Sequence, residues 1–222
     1  MKRALRIGRW VSLASLLAGC DPRGISVGTE ELCVADALLE RAIERNPDLA
    51  PSGCARIGDN LVRNGSFELP LTGDCMNGLY CEFAAAAVPA WTTDSEVQII
   101  EIWRDSHMGV PTFEGAQFAE LNASSRDTLS QDLSLTPGQL VYWSVAHRGR
   151  TGVEGMEVGL GPPEAVRAQG LLSTAEEAWS EYHGLYRVGD AETTTRLSLI
   201  SRSGNAEGNL VDAVVLANVI ER

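Results

Sequence analysis

From residue 60 onward the chain reads as short β-rich runs separated by Gly, Pro, Asn and Asp. The runs are Asn60–Glu68, Val97–Trp103, Ala116–Asn122, Asp127–Leu135, Gln139–Arg148, Met156–Gly161, Tyr182–Val188, Thr194–Ser201 and Leu210–Ile220. Apolar residues alternate at Val141, Trp143, Val145 and at Leu197, Leu199, the period of a strand with one buried face. Thr136-Pro137-Gly138 is a turn ahead of a strand. Nine punctuated strands predict an all-β sandwich. Residues 162–178 read as a long connection with room for a helical turn, and Ala84–Ala87 as a loop or short helical turn.

Before residue 60 the period changes. Leu32, Ala35, Leu38, Leu39, Ala42 and Ile43 recur at helical spacing, with Thr29 as N-cap and Glu30 and Glu31 in the first turn. Asn46-Pro47 stops the pattern. An amphipathic helix is predicted over 30–45. One helix has no core of its own, so it is expected to pack on the following domain.

The start of the chain is different again. Lys2, Arg3, Arg6 and Arg9 precede a short apolar run, Trp10 to Ala18, too short for the ~20 residues of a bilayer span. The run ends Leu17-Ala18-Gly19-Cys20, which resembles the lipobox of bacterial lipoproteins. The resemblance implies cleavage after residue 19 and lipidation of Cys20; the alternative is an ordinary secretory signal. A multiply acylated Cys is a durable anchor, at ~0.8 kcal/mol per buried CH₂. The expected organisation is a lipoprotein signal peptide (1–19), a lipidated Cys and tether (20–28), a helical segment (29–57) and a β-sandwich (58–222). The expected location is the cell envelope, periplasmic or surface-exposed.

Export places the remaining cysteines in an oxidising compartment. Cys33, Cys54, Cys75 and Cys81 allow three pairings, of which proximity favours Cys33–Cys54 and Cys75–Cys81. The Cys75-x5-Cys81 spacing fits neither a CxxC redox motif nor a zinc knuckle.

Charge narrows the function. The chain has 18 Lys+Arg against 30 Asp+Glu, a net charge of −12. Four of those cations lie in the leader, so the mature chain would carry 14 cations and 30 anions, or −16. Such acidity argues against nucleic-acid binding and electrostatic docking on anionic lipid. No G-x-S-x-G elbow, P-loop, HExxH or strand-linked G-x-G-x-x-G occurs. Glu96, Glu101, Glu114, Glu120 and Asp132 leave room for a glycosidase carboxylate pair, whose separation a sequence does not show.

Aromatic residues are the better lead, because sugars stack their C–H faces on rings beside a few polar groups. Tyr80 and Phe83, in or beside the Cys75–Cys81 loop, and Trp103 and His107, around a polar loop, form the expected ligand-binding rim. Tyr182 and Tyr186 are expected to split between the faces of a strand. His147-Arg148-Gly149-Arg150 suggests either an anion site or arginines paired with carboxylates inside the sandwich.

Several of these segments together resemble a family. Asn60-Leu61-Val62-Arg63-Asn64-Gly65-Ser66-Phe67-Glu68 is similar to the opening of bacterial jelly-roll domains with a galactose-binding-like fold. Those domains include carbohydrate-binding modules of the family 4/9/22 type and DUF642-type wall proteins. Pro89-Ala90-Trp91, Gly115 to Asn122, Leu129 to Leu133, Tyr142 to Arg150 and Gly208 to Val214 follow in matching order, spanning about residues 60–220. The resemblance implies an all-β jelly-roll β-sandwich with a short N-terminal helix. It implies Trp91, Trp143 and Trp179 in the core. It implies a structural Ca²⁺ held by Glu68 and Asp212, although relatives carry Asp-Asp-Val where this chain has Asp212-Ala213-Val214.

The expected function is non-catalytic binding of a glycan or other extracellular ligand at the envelope. The alternatives are a protein–protein adhesion or assembly module and a glycoside hydrolase with a carboxylate pair. No nucleic-acid partner is expected, and the membrane is reached only through the lipid.

Overall fold

The computed structural model describes residues 36–75, 78–203 and 207–221. Thr29, the first part of the expected helix, Cys20, Cys33 and the leader lie outside the described residues. The described chain has twelve strands: β1 (Ala55–Asn60), β2 (Tyr80–Ala84), β3 (Thr92–Thr93), β4 (Ile99–Arg104), β5 (Gln117–Glu120), β6 (Thr128–Leu133), β7 (Leu140–Arg148), β8 (Glu154–Gly161), β9 (Arg167–Thr174), β10 (Ser180–Arg187), β11 (Thr195–Ser201) and β12 (Leu210–Glu221). They form two antiparallel sheets packed as a jelly-roll β-sandwich. The larger sheet runs β10-β7-β12-β5-β4-β2; β1 pairs with β12 beyond the short β5 pairing at its start. The smaller runs β3-β6-β11-β8-β9.

Alternation places Ile100, Ile102, Val141, Trp143, Val145, Met156, Val158, Leu160, Leu197 and Leu199 between the sheets. Trp91 and Trp143 are buried there, as expected. His147 is also buried, bonded through Nδ1 to Thr174 Oγ1 and through Nε2 to Asn209 Oδ1, both at 2.8 Å. Burial lowers its pKa to about 4.

Among the described residues, the expected helix is present as α1 (Ala37–Arg45); residues 30–35 of the expectation lie outside them. Asp36 is extended and caps α1, its carboxylate accepting the Leu38 N–H at 3.0 Å. Leu39 and Ala42 pack on Leu140, Tyr142 and Leu185 of the larger sheet's outer face. The expectation of a dependent helix holds, and it explains why β7 is buried on both faces.

Four sequence readings are corrected. Residues 61–68 of the Asn60–Glu68 run are not a strand. Asn60 accepts the N–H groups of Val62 and Leu216 and donates to Val214 O, while Val214 N–H bonds Gly65 O. Asn64 and Phe67 have positive φ, and a Cβ on Gly65 would collide with Val214 O. The motif is thus an irregular clamp on the bulge of β12, between Asp212 and Val215. Residues 162–178 contain β9, an edge strand with little burial beyond Leu172 and Thr174, so its sequence lacks a clear apolar period. β1, apart from Asn60, and the two short strands β2 and β3 also lay outside the predicted runs, and β1 begins inside the segment expected to be helical. Tyr182 and Tyr186, four residues apart, share the core-facing side of β10, as the strand period requires.

Cys75 and Cys81 are disulfide-bonded, tying the turn at Thr72–Asp74 to β2. Cys54 is also in a disulfide. The expected Cys33 pairing falls outside the described residues.

Candidate functional site

The outer face of the larger sheet is covered by α1 at one end and by the segment between β4 and β5 at the other. That segment is pinned locally: Asp105 Oδ1 accepts the Thr112 N–H at 2.9 Å, and Ser106 N–H bonds Val110 O at 2.8 Å. Ser106 and Met108 are left-handed, which turns His107 back over the sheet. Val110 seals against Trp103, Phe118 and Leu210. Trp179 caps this cluster with its ring 5.5 Å from Phe118 and its Nε1 bonded to Pro111 O. Trp179 is therefore on the outer face, half-buried, rather than in the core.

Strand register sets the chemistry. Glu82, Glu101 and Glu120 stand in one row across β2, β4 and β5. Tyr80, Trp103 and Phe118 form the next row. Arg150, just after β7, reaches over both. Its Nη1 donates to Glu120 Oε1 and Oε2 at 2.9 and 3.0 Å, and its guanidinium carbon lies 4.9 Å from the Trp103 ring centroid. The turn that delivers it needs Gly149, where a Cβ would strike Gly152 O and Thr174 O. Of the two readings of His147-Arg148-Gly149-Arg150, the carboxylate pairing inside the fold is the one found for Arg150.

Both central carboxylates are buried. Glu120 is 1% exposed and also accepts the Gly208 N–H at 2.9 Å. Burial pushes its pKa up to about 7, against the lowering by Gly208 and Arg150. Glu101, 7% exposed, accepts Trp103 Nε1–H at 2.7 Å, and burial raises its pKa as well. His107 is half-buried, and burial together with the nearby Arg150 lowers its pKa, favouring the neutral ring.

Three of the four expected rim residues are brought together. His107 stacks on Tyr80 at 5.1 Å and sets its edge on Trp103 at 4.5 Å. Trp103 itself is 1% exposed, so it is the floor under Arg150 and His107 and not part of the rim. Phe83 is separated from the group. Three residues after Tyr80 on one strand, it points to the opposite face and packs on the inter-sheet core. Glu101, Glu120 and Arg150 were visible only as scattered charges, because their meeting depends on pairing between distant segments. Met108, 65% exposed, and Glu207 complete the surface; their nearest Arg150 contacts are 3.7 Å to Sδ and 4.0 Å to Oε1.

Glu68 and Asp212 were expected to share a cation. Glu68 Oε1 accepts the N–H groups of Ala116 and Gln117, at 2.8 and 3.1 Å. Asp212 Oδ2 accepts those of Phe113 and Glu114, at 3.0 and 2.9 Å, and Oδ1 that of Ala213. Donors already meet these oxygens, so the arrangement fits two clamps on residues 113–117 better than a Ca²⁺ cage. Among the described residues, no group of three or more His, Cys, Asp or Glu could hold a metal.

No protein-family model and no curated protein matches the chain. Solved structures give similarities of chain path. The CBM22-1 xylan-binding domain of Paenibacillus barcinonensis Xyn10C aligns with 12% identity and a TM-score of 0.47, over 65% of this chain and 94% of that one. The C-terminal family 22 carbohydrate-binding module of Clostridium thermocellum Xyn10B gives 13% and 0.45, over 64% and 96%. TmCBM61, solved with β-1,4-galactotriose, gives 14% and 0.46, over 72% and 98%. At these values no residue role is carried across.

Proposed function

We propose that this chain is a lipid-anchored protein of the cell envelope whose sandwich binds a glycan without catalysis. The observation behind this reading is the surface where Tyr80 and His107 stack on each other, with His107 and Arg150 lying over a Trp103 floor. A half-buried ring pair beside a fixed guanidinium offers a sugar both a stacking face and hydrogen-bond donors. The lipobox-like leader supports the anchor. Of the solved modules named above, the Paenibacillus barcinonensis one is a xylan-binding domain and TmCBM61 was solved with β-1,4-galactotriose, and this reading does not depend on them.

A hydrolase reading draws on Glu101 and Glu120, which face each other in register with raised pKa values. Both are buried, and each is held by structural donors, so neither reaches a scissile bond from solvent. Retention of residues 21–222 on a panel of insoluble and immobilised polysaccharides tests the proposal. Retention by at least one polymer, lost in Tyr80→Ala and His107→Ala variants that remain folded, is expected. Failure with every polymer, or release of reducing sugar abolished by Glu101→Gln, overturns it.

A further inference from the structure

The charges around the Tyr80–His107 surface are unbalanced. Arg150, the cation lying over the Trp103 ring, has its charge met by Glu120 at 2.9 Å. Arg148, the next cation in the Glu82–Glu101–Glu120 row, stands beyond Leu210 on β7. His107 favours its neutral form. Two carboxylates remain open to solvent on either side: Glu82, exposed on β2 next to Glu101, and Glu207, 59% exposed and 4.0 Å from Arg150 Nη2. A ligand laid on the rings therefore meets a ring of net negative charge.

We infer that this site takes uncharged glycans and rejects those bearing carboxylate or sulfate groups, with Glu82 and Glu207 as the residues that enforce the rejection. This rests on the glycan-binding reading. At contact range in a partly hydrated site, each like charge is worth on the order of tenfold in affinity. The effect weakens with salt, since both carboxylates are exposed. The design is exclusion by unfavourable charge, and it adds nothing to the affinity for a neutral sugar.

The test compares retention on neutral polymers (xylan, β-glucan, galactan, mannan) and acidic ones (polygalacturonate, alginate, heparin), at about 20 mM and about 500 mM salt. Retention on a neutral polymer with none on the acidic set at low salt is expected. The Glu82→Gln/Glu207→Gln variant, changed only at exposed positions, should keep neutral binding and gain acidic binding by tenfold or more. Acidic retention by the parent chain, or an unchanged double variant, overturns the inference and leaves glycan binding standing. Retention on neither set overturns both.

Discussion

Replacing Arg150 by Met keeps a long apolar stem over Trp103 but leaves Glu120 buried without its cation. Glu120 is 1% exposed, and the Arg150 side chain is 17% exposed, so the pair is screened from one side only. Breaking a buried pair costs about 3–5 kcal/mol, and the partial exposure of Arg150 puts the expectation at about 3 kcal/mol above neutral pH. For a domain of this size that lowers the unfolding midpoint by about 6–12 °C. The sign with pH is specific. Loss of Arg150 raises the folded pKa of Glu120 above about 7, while the unfolded carboxyl stays near 4.5. The destabilisation is therefore present at pH 8.5. It disappears toward pH 5, where the folded carboxyl is protonated in both proteins. About 1 kcal/mol remains there for the lost guanidinium–ring contact. Urea unfolding of parent and variant at the two pH values measures this. Equal losses at both, or none at pH 8.5, would refute the reasoning.

The parent chain itself should be more stable in mild acid than in mild alkali. Glu120 and Asp212 are both raised to about 7 by burial, so their contribution falls as pH rises from about 4.5 to 7. His147, lowered to about 4, works the other way below pH 6.5. The balance is roughly 3 kcal/mol in favour of pH 5 over pH 8, read as a higher urea midpoint; a lower midpoint at pH 5 contradicts it. A Cβ on Gly184 would lie 2.5 Å from the rigid Trp143 ring, so Gly184→Ala should cost about 1–3 kcal/mol in chemical denaturation. Phe83→Ala should lower the thermal midpoint without abolishing glycan retention, whereas Tyr80→Ala should do the reverse. Excess calcium and excess EGTA should give the same melting curve; a midpoint several degrees higher in calcium would restore the cation site at Glu68 and Asp212.

Much of the architecture was legible in the sequence, because it is written in local period. Alternation in Val141, Trp143, Val145 and the Gly/Pro punctuation determined most strands of a two-sheet fold, and α1's apolar stripe determined that it would dock. A signal-like leader and the acidic balance were equally local. Strands poor in apolar alternation, such as β9, escaped because an edge strand buries little. The Asn60–Glu68 motif was legible as a marker but not as a shape, since its Asn60 and Gly65 are used on the bulge of β12, about 150 residues away.

The candidate site belongs to the tertiary structure. Spacing alone puts Tyr80 and Phe83 in one loop; the strand pleat sends them to opposite faces. Glu101, Glu120 and Arg150 become one cluster only because β4 pairs β5 in the register that sets Glu101 against Glu120, and because β7 ends where Arg150 can reach over Trp103. Register between segments tens of residues apart is set by burial of a whole sheet face, and a one-residue slip would turn these side chains into the core. Local sequence fixes what each residue can do; the pairing of distant strands decides which of them meet.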